Sequence, residues 1–146
     1  MKKICFYFQV HQPCRISQYS FFELGNHHQY WNESLDQKIL NKAADDCYLP
    51  NNELFLSLIK KHQGNFNVSF SLSGILIEQL EKYRPDVLAS FQELVQTGCV
   101  EILAETYYHS LSALYNEQEF IAQVKLHQSK IKEVFGIETK TFRNSE

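Results

Sequence analysis

The sequence predicts an α/β protein in which parallel strands alternate with helices, and three observations support this. The chain begins with an apolar run rich in β-branched and aromatic residues, a strictly alternating segment lies in its middle, and helical patterns with clear ends separate the strands. Alternation of strands and helices is typical of a parallel sheet, either open or closed into a barrel. With 146 residues, the chain is long enough for one domain or for part of a larger one.

Four segments have the character of strands. The first ends at His11-Gln12-Pro13, where proline cannot continue a central ladder. The second places Phe, Val and Leu on one face and Asn and Ser on the other, which is the period of a strand with one apolar face. The third is short, and the fourth is weaker. The predicted strands are Ile4 to Val10, Phe66 to Ser73, Val100 to Ala104 and Thr139 to Arg143.

The helical patterns lie between these strands. Pro50 occupies a first-turn position of one helix that stops at Gly64, and Pro85 opens another that Gly98 closes. Residues 11–49 show no clear period before about Leu35, and we expect a long functional loop there. The remaining helices are Ile75 to Tyr83 and a long one that starts at a capping box of Asn116 and Glu119, with a stripe of Phe120, Ile121, Val124, Ile131, Val134 and Phe135 before Gly136.

Composition excludes several classes of protein. The chain is 44% hydrophobic with only three prolines and five glycines, which excludes a disordered tail or a collagen-like repeat. A net charge of −3 argues against binding nucleic acid through its phosphates. No apolar run is long enough to span a membrane, and the four cysteines form no CxxC pair. We expect a cytoplasmic protein with reduced thiols, no membrane partner, no metal and no cofactor.

Polar residues follow each predicted strand, where parallel α/β folds build their active sites. Glu101 lies within an apolar strand, so we expect it to be paired or functional, because burying a lone carboxylate costs several kcal/mol. The pair His27-His28 is more typical of a solvated loop than of a metal site. The strand-end residues are His11, Gln12, Ser71, Ser73, Glu101, Glu105, His109, Arg143, Asn144 and Glu146.

Three motifs in this order resemble the catalytic domain of glycoside hydrolase family 57. VHQP follows the first strand, GCVEIL leads into ETYYHS, and TFRNSE ends the chain. The family holds α-amylases, 4-α-glucanotransferases and branching enzymes, and the third motif is most similar to α-amylase-like members that read FRNTE. Ser145 stands where that pattern has Thr, a change that keeps the hydroxyl.

The resemblance implies a fold and a mechanism. It implies that residues 1–146 are the N-terminal part, about four βα units, of an incomplete (β/α)7 barrel whose C-terminal remainder is missing. It further implies a retaining hydrolase or transferase of α-1,4-glucans, in which Glu146 is the nucleophile and an Asp beyond residue 146 is the acid/base. Retention uses two carboxyl groups about 5–5.5 Å apart.

The resemblance also implies a set of substrate-binding residues. His11 matches the histidine of the first motif, and Glu101 matches the glutamate of the second. Aromatic faces could stack on pyranose rings, although aromatic residues more often belong to a core. The full predicted set that binds the α-glucan is His11, Gln12, Glu101, Tyr108, His109 and Trp31.

Two alternatives stay open. A metal-dependent polysaccharide deacetylase would need an acidic residue after the first strand and a spaced His pair, and the sequence has neither HxxxH nor HxxxxH. A carbohydrate-binding fragment without turnover is the other alternative.

Overall fold

A three-stranded parallel sheet with helices packed against one face forms the centre of the computed structural model, which describes residues 4–26 and 28–145. The strands stand in sequence order, β1-β2-β3. The elements are β1 (Phe6–Val10), α1 (Glu33–Ala43), α2 (Leu49–Lys61), β2 (Val68–Leu72), α3 (Gly74–Tyr83), α4 (Pro85–Gln96), β3 (Val100–Ile102) and α5 (Glu117–Phe135).

The parallel pairing predicted from the sequence is confirmed for three strands. In the β1–β2 ladder Phe8 pairs with Phe70, and in the β2–β3 ladder Phe70 pairs with Ile102. The expected fourth strand is wrong as a strand, because the described residues from 139 onwards pair only through one parallel bridge between Ala104 and Phe142. That bridge still lies beside β3, in the expected sequence order.

The long loop predicted for residues 11–49 is only partly a loop. Helix α1 begins at Glu33, and a π-helical stretch, Ala44–Tyr48, joins it to α2. Pro50 therefore lies near the start of α2 but within a continuous helical segment rather than at the head of an isolated helix. The N–H of Leu49 bonds to the carbonyl of Ala44, which is the i→i+5 pattern of a π-turn.

One face of the sheet carries the apolar core. Phe70 of β2 contacts Phe55 of α2 and Phe91 of α4 through edge-to-face rings at 5.7 and 5.6 Å, an arrangement that aromatic quadrupoles favour. Val68 and Leu72, on the same face as Phe70, are also buried in this core. The apolar side of the alternating segment thus faces the helices, as its period of two predicts.

Helix α5 has its predicted ends and part of its predicted stripe, since Ile131 lies in the core and Val134 and Phe135 pack against it. The side chain of Asn116 accepts from the N–H of Glu119 at the start, and Gly136 ends the helix at φ 70°, where glycine carries no steric penalty. Ile121 is exposed. The buried residues of α5 are Gln123, His127 and Ile131. No helix in the part of the chain that the structure describes is long and apolar enough to cross a bilayer.

An ion pair between Arg15 and the buried carboxylate of Asp36 attaches the segment after β1 to α1. Arg15 donates to Asp36 from its backbone N–H and from its guanidinium, the latter at 3.0 Å. The backbone N–H of Asn32 bonds to the carbonyl of Arg15, and Ile16 bridges to Trp31. The two ends of the segment from Arg15 to Asn32 therefore lie side by side at the start of α1, and we call it the returning segment.

Candidate active site

The second face of the sheet carries the candidate site, because every strand presents its polar residues there. The registers place Tyr7, Ser69 and Glu101 in one row across the sheet, and Gln9 and Ser71 in the next row towards the carboxyl ends. Rows on one face are two residues apart, or roughly 6.6 Å along the strands. The segments that leave β1, β2 and β3 bring further polar side chains beyond the second row.

His11 directly follows β1 at the carboxyl ends of the strands. Its Nδ1 is 2.7 Å from the hydroxyl of Ser73, and its ring stacks on that of His109 with centroids 4.5 Å apart. Burial, and next the nearby His109 and Arg15, lower the pKa of His11 from 6.5 to about 4. His11 is therefore neutral at neutral pH, with the orientation of its ring fixed by Ser73 and His109.

Glu105 and His109 form the most buried ionisable pair of the site. The residue Glu105 is 1% exposed, and its Oε2 is 2.9 Å from Nδ1 of His109. Its Oε1 has no hydrogen-bond partner among the described residues. Burial raises the pKa of Glu105, while His109, Arg143 and the Ser71 hydroxyl favour its ionised form. His109 has φ 55°, a backbone strain that clusters at functional sites.

Arg143 connects the end of the chain to β1. Its guanidinium donates to the Tyr7 hydroxyl and to Oε1 of Gln9, both at 3.1 Å, and lies 4.6 Å from the centre of the Tyr7 ring. Since Tyr7 Oη accepts from Arg143, its own proton is available for the Ser71 hydroxyl at 2.5 Å. These contacts position the residues before Glu146 on the same face as His11.

A buried hydrogen bond explains why a hydroxyl matters at position 145. Ser145 and Thr106 are both buried, and their hydroxyl oxygens are 2.6 Å apart. The hydroxyl of Thr106 also accepts the backbone N–H of Ser110. Glu146, the predicted nucleophile, lies outside the described residues, but the peptide that leads to it is held beside the segment after β3.

The expectation that the carboxylate of Glu101 is buried in its strand is wrong. The side chain is exposed, not buried, and it accepts a hydrogen bond of 2.7 Å from Thr141. Its row lies two residues nearer the amino ends of the strands than the Gln9–Ser71 row. The buried carboxyl at the strand ends is Glu105, four residues later. Its signal in the sequence was its position as the first residue after the predicted third strand.

The other predicted binding residues are dispersed. Both ends of the Gln12 amide are used within the protein, because it donates to Tyr48 and accepts from Arg15. Tyr108 is 51% exposed and Trp31 is 57% exposed. Their faces are therefore available, although Trp31 belongs to the returning segment rather than to the strand ends.

The residues around Trp31 line a cavity of about 680 Å³. Its lining includes Tyr19, His28 and Tyr30, and Nδ1 of His28 is 2.8 Å from the Tyr30 hydroxyl. His27 lies outside the described residues. Within residues 4–26 and 28–145, no group of three His, Cys, Asp or Glu side chains is placed to hold a metal ion.

The fold and the site together define a class of protein. A parallel sheet whose strand ends gather a buried carboxyl, two stacked imidazoles and an arginine has the architecture in which α/β proteins build their functional sites. The chain belongs to glycosyl hydrolase family 57, since the model of that family matches residues 5–146.

Two proteins with related sequences match most of the chain. A protein of Methanocaldococcus jannaschii named "Putative alpha-amylase" is 42% identical over 146 residues, which cover 98% of this chain and 31% of that protein. The α-amylase of Pyrococcus horikoshii is 29% identical over 88 residues, 60% of this chain and 13% of its own length. The chain thus spans less than a third of the curated relatives named here.

Solved structures share the fold. The 4-α-glucanotransferase of Thermococcus litoralis superposes with a TM-score of 0.67 at 21% identity, covering 93% of this chain and 18% of that one. The α-amylase AmyC of Thermotoga maritima gives 0.66 at 14% identity, covering 98% and 35%. At these identities the likeness concerns the α/β fold with its parallel sheet.

Proposed function

We propose that the chain is the N-terminal part of the catalytic domain of a retaining enzyme that hydrolyses or transfers α-1,4-glucans. In this proposal residues 1–146 supply the first strands of an incomplete (β/α)7 barrel. Family membership and the 42% identical relative support the activity class. The complete protein is proposed to act in the cytoplasm without a cofactor, and the described cysteines are all free thiols.

The observation that carries the proposal is the convergence of the three motifs on one edge of the sheet. His11 of the first motif stacks on His109 after the second, and Arg143 of the third bonds to Gln9 beside the first. Sugar hydroxyls need such fixed donors and acceptors, and bonds to them strengthen as positive charge develops on the sugar.

Each site residue has a proposed role. Glu146 attacks the anomeric carbon, and the leaving oxygen takes a proton from an acid/base carboxyl that a later part of the protein supplies. Neutral His11 and the partly exposed His109 bind sugar hydroxyls, and Tyr108 and Trp31 stack on pyranose rings. Gln12 and Glu101 act at the margins of the cleft, since both already have protein partners.

The test is Glu146→Gln in the full-length gene product, assayed on α-1,4-glucans. The variant keeps the shape of the side chain but lacks the nucleophile, so kcat should fall by at least about a thousandfold. Glu133→Gln is the matched control, because Glu133 is an exposed carboxylate on α5 and its loss should leave kcat unchanged.

A second experiment locates the covalent intermediate. Incubation of the unmodified protein with a slow-reacting fluorinated α-glycosyl fluoride should attach the sugar to Glu146, as peptide mass spectrometry would show. Attachment to another residue, or near-normal turnover of Glu146→Gln, would remove Glu146 from the mechanism.

A further inference from the structure

His127 replaces a backbone hydrogen bond of the sheet. In the β2–β3 ladder the N–H of Leu103 bonds to the carbonyl of Phe70 at 2.8 Å. Parallel ladders repeat every two residues, so the next bond would join Glu105 N–H to Leu72 C=O. Instead, Nε2 of His127 is 2.8 Å from the Leu72 oxygen, and the Glu105 N–H points to Nδ1 at 3.4 Å.

These two contacts fix the protonation of His127. A carbonyl oxygen only accepts and a backbone N–H only donates, so Nε2 carries the proton and Nδ1 is bare. The ring is completely buried on α5, and burial lowers the pKa of His127. A second proton would also face the Glu105 N–H donor, so the neutral ring is the form that fits.

The inserted ring lies directly behind the candidate site. Leu72 stands between Ser71, which bonds to Tyr7, and Ser73, which bonds to His11. Glu105 carries the buried carboxyl that bonds to His109. One imidazole therefore separates the carboxyl ends of β2 and β3 and holds the backbone of both at a fixed spacing.

We propose that His127 is a positioning residue, which uses its Nε2–H tautomer to set the place of Glu105 and of the β2 end in the site. It touches no substrate and acts through Glu105 and Leu72. Its effect on turnover rests on the function proposed above, whereas the tautomer and the backbone contact do not.

Two variants of His127 separate positioning from filling of space. Gln presents one acceptor and one donor at a spacing similar to that of the two ring nitrogens, so His127→Gln should restore both contacts in part. His127→Leu fills the space but makes neither contact. Ile131→Val is the control, because Ile131 is buried on the same helix and the change removes only one methyl group from the packing.

The first readout uses NMR of the full-length protein and needs no activity. Long-range ¹H–¹⁵N spectra of the unmodified protein should show His127 neutral and protonated at Nε2. Hydrogen exchange of the Glu105 amide should accelerate at least about tenfold in His127→Leu, less in His127→Gln, and little in Ile131→Val. A proton on Nδ1, a doubly protonated ring at neutral pH, or unchanged exchange in His127→Leu would overturn the positioning role.

The second readout is turnover of α-1,4-glucans by the full-length protein. A misplaced carboxyl should lower kcat in His127→Leu by about ten- to a hundredfold with little change in KM, and His127→Gln should recover part of this loss. Unchanged kcat in His127→Leu would overturn the link to the reaction. If the NMR results hold but the unmodified protein has no activity on α-glucans, the proposed function fails while the backbone contact stands.

Discussion

Gly74, the first residue of α3, is the position where adding one methyl group gives the sharpest test of the packing. A Cβ built on Gly74 would lie 2.4 Å from Cδ2 and Cε2 of Tyr107. Carbon atoms pack at about 3.5–4.0 Å, so the overlap exceeds 1 Å. The Tyr107 ring is buried and its hydroxyl bonds to Glu78 at 2.5 Å, so the ring cannot simply swing away.

Two opposing effects decide the stability of Gly74→Ala. Inside a helix, alanine stabilises the folded state by at most about 1 kcal/mol relative to glycine, and at the first residue of the helix the gain is smaller. Overpacking a close contact costs about 1–3 kcal/mol. The clash is the larger effect, so we expect the free energy of unfolding to fall by roughly 1–2 kcal/mol.

Urea unfolding followed by circular dichroism measures this change, provided that the m-value stays constant. The variant Tyr107→Leu removes the ring that would clash, so Gly74→Ala should cost less in that background than alone. A Gly74→Ala protein as stable as the unmodified chain would refute the reasoning, as would equal costs in both backgrounds.

Three further predictions concern single side chains. The pKa of His11 is about 4 in the folded protein and near 6.5 in the unfolded chain, so on acidification the unfolded chain binds the extra proton first. The stability that neutral His11 contributes should be complete above pH 6.5 and lost between pH 6.5 and 4. Urea midpoints of His11→Gln should therefore depend less on pH over that range, and an equal dependence would contradict the assignment. Ser145→Ala should lose about 1 kcal/mol by breaking its bond to Thr106, whereas Ser145→Thr should keep most of it; equal losses in both would contradict a role for the hydroxyl. Phe6 and Phe8 are exposed on β1, which is an edge strand of the described sheet. Phe8→Thr should therefore reduce self-association of the isolated chain, as measured by sedimentation velocity. Unchanged association would show that this edge strand is not the contact.

The strands could be predicted because their signal is local. Alternation in the segment around Phe70 has a period of two, which assigns each side chain to a face without any knowledge of its neighbours. Helix ends at Pro85 and Gly136 are local for the same reason, since each residue fixes or permits one backbone angle. The order and direction of the three strands then followed from the alternation with helices.

The sequence-based predictions fail where contacts between residues far apart in the chain determine the structure. Helix α1 has few apolar residues in its first turns, and the partner of its buried Asp36 is Arg15, 21 residues earlier. Glu101 looked buried because its sequence neighbours are apolar, but those neighbours point to the opposite face. His127 gave no sign in the sequence, because a polar residue on a helical stripe acquires its role only when the strand ends reach it.

The polar face keeps its arrangement through hydrogen bonds rather than through an apolar core. Arg143 places one positive charge between Tyr7 and Gln9, and the same charge favours ionisation of Glu105. Burial opposes that ionisation, so the carboxyl depends on partners that come from three separate parts of the chain. Such a site cannot be assigned to one motif. The first motif contributes the stacking His11, the segment after the second contributes His109, and the third contributes the charge. The three short motifs recognised in the sequence are therefore parts of one electrostatic unit, which exists only when the parallel register brings them to the same edge.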